Sequence, residues 1–216
     1  MKKKNIFVFD FDGTIADSNE LEKATMVEAI HRYHDEKFRP DDIFLFFGPT
    51  EEGILRKIVK ADRREEAVSF FYDYYEKRQD DLLRPFEGME DILRLLKEKE
   101  KRIFLLTGRS AKTLNMSLER LGFAPYFEAC YTGSDEGINK PLNMERLIRE
   151  NGLRNEDVVY VGDSLDDTRS MKTAKVDLLS AGYSHSLDYQ EELRKNNPGN
   201  VVSSVFELRT RIEEIL

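Results

Sequence analysis

The hydrophobic pattern of the chain is a series of short apolar runs. The first, residues 6–9, reads Ile-Phe-Val-Phe, which is typical of a strand buried on both faces of a parallel sheet. Polar residues follow it at once, so the predicted strand ends at residue 9. Five more runs predict strands at residues 102–107, 129–132, 158–161, 176–179 and 201–204, the last two as edge strands.

Amphipathic segments separate these runs. Their spacing predicts helices at residues 89–99, 111–121, 142–151, 166–174 and 206–216. Alternation of strand and helix implies a parallel sheet with right-handed crossovers. The fold class is therefore predicted to be α/β, with a Rossmann-like core.

Residues 17–83 follow a different pattern, because they contain helical spacing and loops but no strand run comparable to the first. Helices are predicted at residues 17–34, 50–59 and 64–83, with a further helix start at Pro40. We therefore predict two domains. The α/β core comprises residues 1–16 and 85–216, and an inserted helical domain comprises residues 17–84.

Composition limits the classes of function. The chain has 216 residues, a formal net charge of −8 and 40% hydrophobic residues, which fits a globular protein with a real core. The acidic balance argues against a general nucleic-acid binder, and Lys2 to Lys4 form the one basic run. No apolar run is long enough for a membrane helix or resembles a signal peptide. The single cysteine, Cys130, is predicted to be buried in a strand.

These limits predict a cytoplasmic protein that contacts neither membrane nor nucleic acid and that is a monomer or a weak homodimer.

Two carboxylates directly follow the first strand. Asp10 and Asp12 flank Phe11, and Gly13 and Thr14 then suggest a tight turn. Burying carboxylates is costly unless a cation or hydrogen-bond donors meet them. In an open α/β sheet the ligand crevice lies at the carboxyl ends of the strands. Asp10 and Asp12 are therefore predicted to lie where the chemistry takes place.

Polar residues recur at the ends of the later strands. Thr107 and Gly108 come before the helix that starts at residue 111, an arrangement that can hold a phosphate. Lys140 precedes the helix of residues 142–151. Asp163 and Asp167 follow the strand of residues 158–161.

Together these stretches resemble the four motifs of the haloacid dehalogenase (HAD) superfamily. Asp10-Phe11-Asp12-Gly13-Thr14 is similar to the first motif, DxDGT. Thr107 is similar to the second, Lys140-Pro141 to the third, and the stretch from Gly162 to Asp167 to the fourth, GDxxxD. The resemblance covers the chain outside residues 17–84.

The resemblance implies a phosphatase that works through an aspartyl phosphate. It makes Asp10 the nucleophile and Asp12 the general acid and base, with Lys140 and Thr107 binding the phosphoryl group. Gly108 and Arg109 would complete the phosphate site. Asp166, between the two acids of the fourth motif, receives no role.

Four converging carboxylates would repel one another unless a cation were present. A hard divalent ion such as Mg²⁺ accepts oxygen ligands and a substrate phosphate, so Mg²⁺ is the predicted cofactor. By resemblance, Asp10 and Asp163 ligate the ion through their side chains and Asp12 through its backbone carbonyl. Asp167 would support this set.

Residues 17–84 resemble the small helical cap of the phosphoglycolate phosphatases and related enzymes. The stretch around Phe47, Gly48 and Glu51 is similar to the substrate-specificity loop of such caps. The aromatic run of residues 70–75 is interpreted as the hydrophobic core of the cap. The resemblance therefore implies a small phosphorylated metabolite as the substrate.

Other functions of this fold stay open. A dehalogenase would not need Asp12 or a metal. A phosphomutase would carry a histidine where this chain has Glu22, and a phosphonatase would use a cap lysine such as Lys23. A non-catalytic binding protein should have lost one of the acids or the lysine.

Overall fold

The computed structural model describes residues 1–46 and 48–216, with Phe44 by its backbone alone. Within this part of the chain, one sheet contains six parallel strands: β1 Ile6–Phe9, β4 Arg102–Leu106, β5 Ala129–Tyr131, β6 Val158–Gly162, β7 Asp177–Ala181 and β8 Val201–Val202. Their order across the sheet is β5-β4-β1-β6-β7-β8. The predicted parallel α/β sheet is confirmed.

Two short strands, β2 and β3, were not predicted from the sequence. β2 Ala16–Asp17 and β3 Arg84–Pro85 pair antiparallel at the two ends of the helical segment, residues 17–84. Neither stretch is an apolar run, because Asp17 and Arg84 are charged, so the hydrophobic pattern does not predict these strands. The pairing brings both ends of the helical segment to one place beside β1.

The helices lie between the strands in chain order. They are α1 Asn19–Tyr33, α2 Glu51–Ile58, α3 Arg64–Leu82, α4 Met89–Glu98, α5 Ala111–Leu121, α6 Lys140–Glu150, α7 Leu165–Ala174, α8 Leu187–Asn196 and α9 Val205–Glu214. Residues Pro40–Phe46 form a 3₁₀ helix.

The sheet has a hydrophobic core on each face, as the alternation of side chains along a strand requires. Phe7 and Phe9 of β1 belong to one core, and Ile6 and Val8 belong to the other. All four are buried, so β1 is covered on both sides. The prediction of a doubly buried first strand is confirmed.

Within the helical segment, α1 packs against α3. Leu21 and Ile30 of α1 and Phe71 and Tyr75 of α3 are buried in the same core. Three of the five aromatic residues in the run on α3, Phe71, Tyr72 and Tyr75, are therefore buried in a core that the segment shares with one face of the sheet.

Two predictions from the pattern were wrong, and one helix was not predicted. The run at residues 176–179 is not an edge strand, because β7 lies between β6 and β8. Cys130 lies on the edge strand β5 and is exposed. Helix α8 was missed because its apolar residues are sparse, and only Gln190 and Leu193 of this helix are buried.

Candidate functional site

Three strands end at the same edge of the sheet, and a polar residue follows each of them. Asp10 follows β1, Thr107 follows β4 and Asp163 follows β6, and all three are buried. The sheet fixes their backbones, because Asp10 N–H donates to Val161 O at 2.8 Å and Thr107 N–H donates to Tyr131 O at 3.0 Å. The strand order β4-β1-β6 thus brings distant parts of the chain together.

Lys140 lies between two carboxylates at this edge. Its Nζ donates to Asp10 Oδ2 at 2.5 Å and to Asp167 Oδ1 at 2.6 Å. Burial alone would lower the pKa of Lys140, but these two carboxylates raise it well above its ordinary value. Burial raises the pKa of Asp10; the charge of Lys140 opposes this rise, and Asp167 and Asp163 add to it.

Asp10, Asp163 and Asp167 form a compact acidic cluster. Each offers one carboxylate oxygen that lies within 4.8 Å of the others. The cluster places three carboxyl groups around one Lys140, and burial disfavours the ionised forms of Asp10 and Asp163, whose pKa values are raised. Buried carboxylate oxygens in excess over nearby cations are a donor set that Mg²⁺ accepts. The residues present therefore fit a divalent cation.

A close approach of Gly13 to Asp163 shapes the cluster. Gly13 has φ +65, and a Cβ atom there would collide with the Asp163 carboxylate. Any larger residue at position 13 would displace this acid and strain the backbone. The glycine of the first motif is therefore required by contact with the fourth.

The carboxylate of Asp12 has different partners. Arg109 Nε donates to Asp12 Oδ2 at 2.8 Å, Arg109 Nη2 donates to Oδ1 at 2.5 Å, and the Ser18 hydroxyl also donates to Oδ1. Burial would raise the pKa of Asp12, but the guanidinium and the Ser18 hydroxyl lower it below its ordinary value. Unlike the other three predicted metal ligands, Asp12 has its side chain outside the acidic cluster found in the described residues.

Arg109 is a buried cation that joins the core to the helical segment. Its Nη1 donates to the Tyr75 hydroxyl and, at 3.1 Å, to Ser117 Oγ, and its Nη2 lies 2.9 Å from Glu22 Oε1. Sequence reasoning predicted that Arg109 binds phosphate. In the structure its guanidinium faces Asp12 and the helical segment, so its donors are already engaged.

The loop after β4 is closely packed. The Thr107 hydroxyl accepts the backbone N–H of Arg109 at 3.3 Å. The carbonyl of Gly108 lies against Gly133, where a Cβ atom would collide with it, whereas the space beside the Cα of Gly108 itself is open. A ligand could therefore approach the backbone at Gly108.

The predicted specificity loop contacts the part of the core between β5 and α6. Phe47 lies outside the described residues. Gly48 has φ +130 and lies beside Ile138, and Thr50 N–H donates to Ser134 O at 3.0 Å.

Glu51, from the same loop, is buried against the N-terminus of α5. Its Oε2 accepts the Ser110 N–H at 2.9 Å, and its Oε1 accepts the Thr113 hydroxyl at 2.6 Å. A carboxylate at a helix N-terminus is favoured by the unpaired N–H groups and the helix dipole. Glu51 therefore attaches the helical segment to the core.

Sequence reasoning missed two features of the site. Asp167 and Ser164 form a capping box that starts α7, and the Ser-x-x-Asp pattern could have revealed it. His185 Nε2 lies 2.7 Å from Asp163 Oδ2, and nothing in the local sequence of His185 indicated this contact. Only the folding of the loop after β7 brings His185 to the cluster.

The fold and the site define a hydrolase of the α/β class with an aspartate-rich centre. A family model described as haloacid dehalogenase-like hydrolase matches residues 7–181. The chain belongs to this family, and the resemblance seen in its four motifs is confirmed.

Similar proteins extend over the same length. A pyrophosphatase PpaX from Listeria welshimeri is 26% identical over 210 residues, which cover 95% of each chain. A pyrophosphatase PpaX from Bacillus velezensis is 25% identical over 213 residues, or 96% of this chain and 95% of that one.

Solved structures share the fold. A predicted phosphatase from Clostridium acetobutylicum superposes with a TM-score of 0.79 at 21% identity, covering 99% of this chain and 100% of that one. A predicted phosphoglycolate phosphatase from Haemophilus somnus gives a TM-score of 0.79 at 17% identity, covering 98% and 99%. CbbY from Rhodobacter sphaeroides, solved in complex with phosphate, gives 0.73 at 17% identity, covering 95% and 96%.

Proposed function

We propose that this hydrolase is a Mg²⁺-dependent phosphatase that acts on a small phosphorylated metabolite through an aspartyl phosphate on Asp10. The observation that carries the proposal is that Lys140 contacts two members of the acidic cluster, Asp10 and Asp167. A nucleophilic carboxylate, a fixed cation and a site for a second cation at one place are what phosphoryl transfer requires.

In the proposed reaction, an Asp10 oxygen attacks phosphorus in line with the leaving group. Lys140 neutralises charge on the phosphoryl oxygens, and the Thr107 hydroxyl and the backbone N–H of Gly108 donate to them. Asp10, Asp163 and Asp167 would hold Mg²⁺ with the backbone carbonyl of Asp12, and the ion would supply further charge neutralisation.

Asp12 is proposed to serve the leaving group. It would protonate the departing oxygen, for which its carboxyl must first take up a proton because Arg109 lowers its pKa, and it would later take a proton from the water that hydrolyses the aspartyl phosphate. Arg109 and Ser18 fix the position of its carboxylate, so in this role they orient the group that transfers the proton.

The helical segment is proposed to act as a cap that closes over the site and excludes water. Its contacts through Glu22 and Tyr75 with Arg109, and through Glu51 with α5, support this role. We accordingly propose the division into a core of residues 1–16 and 85–216 and a cap of residues 17–84.

The identity of the metabolite is proposed only as a class. The curated relatives are named pyrophosphatases, and one similar structure is described as a phosphoglycolate phosphatase. Pyrophosphate and 2-phosphoglycolate are therefore the first substrates to test.

Among the described residues, no helix has the length and apolar character to cross a membrane. Location in the cytoplasm and the oligomeric state stay predictions.

The test is release of inorganic phosphate from pyrophosphate, 2-phosphoglycolate and p-nitrophenyl phosphate in the presence of Mg²⁺. Trapping of the aspartyl phosphate state with beryllium fluoride should succeed in the wild type and fail in Asp10→Asn. No release from any of the three, together with tight binding of phosphorylated ligands, would favour a non-catalytic binding protein. Transfer of phosphate between positions of one sugar would favour a phosphomutase.

A further inference from the structure

His185 is the histidine that contacts the acidic cluster. Its Nε2 lies 2.7 Å from Asp163 Oδ2, within the range of a good hydrogen bond. Asp163 is buried, and the side chain of His185 is 23% exposed. The contact therefore lies in a largely buried place, where water competes only weakly for the carboxylate.

The imidazole ring is itself held in place. It packs at 33° to the ring of Tyr189, with 4.2 Å between the ring centroids. The Tyr189 hydroxyl accepts the Leu165 N–H at 3.1 Å, so Tyr189 is tied to the first residue of α7. The backbone N–H of His185 donates to Gly182 O at 3.1 Å. Asp163, His185, Tyr189 and Leu165 thus form a closed ring of contacts around the acidic loop.

These contacts hold one of the two carboxylate oxygens of Asp163, Oδ2, in place. A carboxylate that binds a cation is ionised and only accepts hydrogen bonds, so in the cation-bound state Nε2 carries the proton of the hydrogen bond to Oδ2. Gly13 presses against the same carboxylate and removes room for it to rotate. Asp163 offers one oxygen to the acidic cluster with Asp10 and Asp167, and Oδ1 is the oxygen that His185 does not contact.

We propose that His185 is a positioning residue for the divalent-cation site, where it holds Asp163 Oδ2 and thereby orients the other oxygen of Asp163 toward the cation. This inference rests on the cation of the proposed function. Residues that hydrogen-bond to metal ligands contribute to metal affinity without touching the metal. A merely structural histidine would affect folding but not the affinity for a cation.

The experiment measures Mn²⁺ binding without substrate, by electron paramagnetic resonance of free Mn²⁺ and by calorimetry. His185→Phe keeps an aromatic ring against Tyr189 but has no donor, and His185→Gln restores a donor. His34→Ala, at an exposed histidine at the end of α1, is the matched control. Circular dichroism and thermal unfolding establish that each variant is folded.

We expect His185→Phe to bind Mn²⁺ about 10- to 100-fold more weakly than the wild type. His185→Gln should recover part of this loss, and His34→Ala should match the wild type. Equal affinity in folded His185→Phe and the wild type would overturn the inference while leaving the proposed function intact. A wild type that binds no Mn²⁺ would overturn both.

Pulsed electron paramagnetic resonance separates positioning from direct ligation. If His185 acts through Asp163, the wild-type complex with Mn²⁺ should show no coupling to an imidazole nitrogen. A nitrogen coupling that disappears in His185→Gln would make His185 a ligand and would contradict the positioning role.

Discussion

At the scale of single residues, one buried guanidinium serves two carboxylates. Arg109 contacts both Asp12 and Glu22, yet it carries only one positive charge. Burial raises the pKa of Glu22 well above its ordinary value; Arg109 opposes the rise, and Asp12 and Glu51 add to it. The pKa of Asp12 is lowered. Arg109 therefore stabilises the ionised form of Asp12 more than that of Glu22, and Glu22 tends to keep its proton.

The raised pKa of Glu22 predicts a pH effect on stability. The folded protein binds a proton at Glu22 that the unfolded chain releases near its ordinary pKa of 4.5. The free energy of unfolding should therefore fall as pH rises from that value toward the folded pKa. Glu22→Gln carries no charge at this position, so it should be more stable than the wild type at pH 8. At pH 5 this advantage should be smaller. Thermal unfolding across this range measures the difference.

Glu20→Gln is the control for this effect, because Glu20 is an exposed acid in the same helical turn. It should follow the wild type at every pH. A Glu22→Gln variant whose melting temperature tracks the wild type from pH 5 to pH 8 would mean that Glu22 is charged in the folded protein.

Replacement of Asp10 tests the proposed nucleophile. Asp10→Asn should lower phosphate release by more than about 1,000-fold, because an amide is a poor nucleophile and the cluster loses a ligand. Asp166→Asn is the matched control, since Asp166 lies outside the cluster and pairs with Arg169 at the surface. Asp10→Asn activity within about tenfold of the wild type would exclude Asp10 as the nucleophile.

At the scale of elements, the N-terminus of α5 is a docking point for the helical segment. Ser110 caps the helix through its own hydroxyl, and Glu51 accepts the Ser110 N–H from outside the core. The sequence predicts that substitution of Glu51 changes the ranking of substrates. Its contacts in the structure instead indicate attachment of one element to another.

Glu51→Gln should therefore weaken the attachment rather than change specificity. Hydrogen bonds to a charged group contribute about 1.5–3 kcal/mol each, so a loss of stability of this order is expected. KM should rise by the same factor for every substrate, so that the ranking of substrates does not change. Glu66→Gln, at an exposed position of α3, is the control. A changed order of substrates at unchanged stability would restore the specificity role of Glu51.

At the scale of the whole molecule, the helical segment and the sheet meet around the acidic cluster. Contacts at Arg109, Ser110 and Ser134 come from two loops of the core, the one after β4 and the one after β5. In the cluster beneath them, burial raises the pKa values of Asp10 and Asp163, and the neighbouring Asp167 adds to the rise. A bound cation should therefore stabilise the folded chain as well as support catalysis.

Removal of divalent ions tests this expectation. Treatment with EDTA should abolish phosphate release, and Mg²⁺ should restore it. Mg²⁺ at 100 times its dissociation constant should also stabilise the folded protein by about 2.7 kcal/mol, seen as a higher melting temperature. In Asp163→Asn this thermal shift should be smaller. Full activity in a verified metal-free sample would point instead to dehalogenase-like chemistry.

The sequence by itself determined the sheet, the strand ends and the acids that follow them. Runs such as residues 6–9 and 158–161 are short, rich in β-branched and aromatic residues and bounded by polar residues, and these features together favour strands. The meeting of Asp10 and Asp163 also follows from the sequence, because parallel strands present their carboxyl ends at one edge. The resemblance to the family motifs adds Lys140 and Asp167 to them.

Only the tertiary structure decided which partner each polar group takes. Arg109 contacts Asp12 and Glu22, Glu51 contacts α5, and His185 contacts Asp163, although each pair is far apart in the chain. The physical reason is that hydrophobic periodicity reports burial but carries no information on which buried charges meet. That pairing depends on how the helical segment and the loop after β7 pack over the sheet.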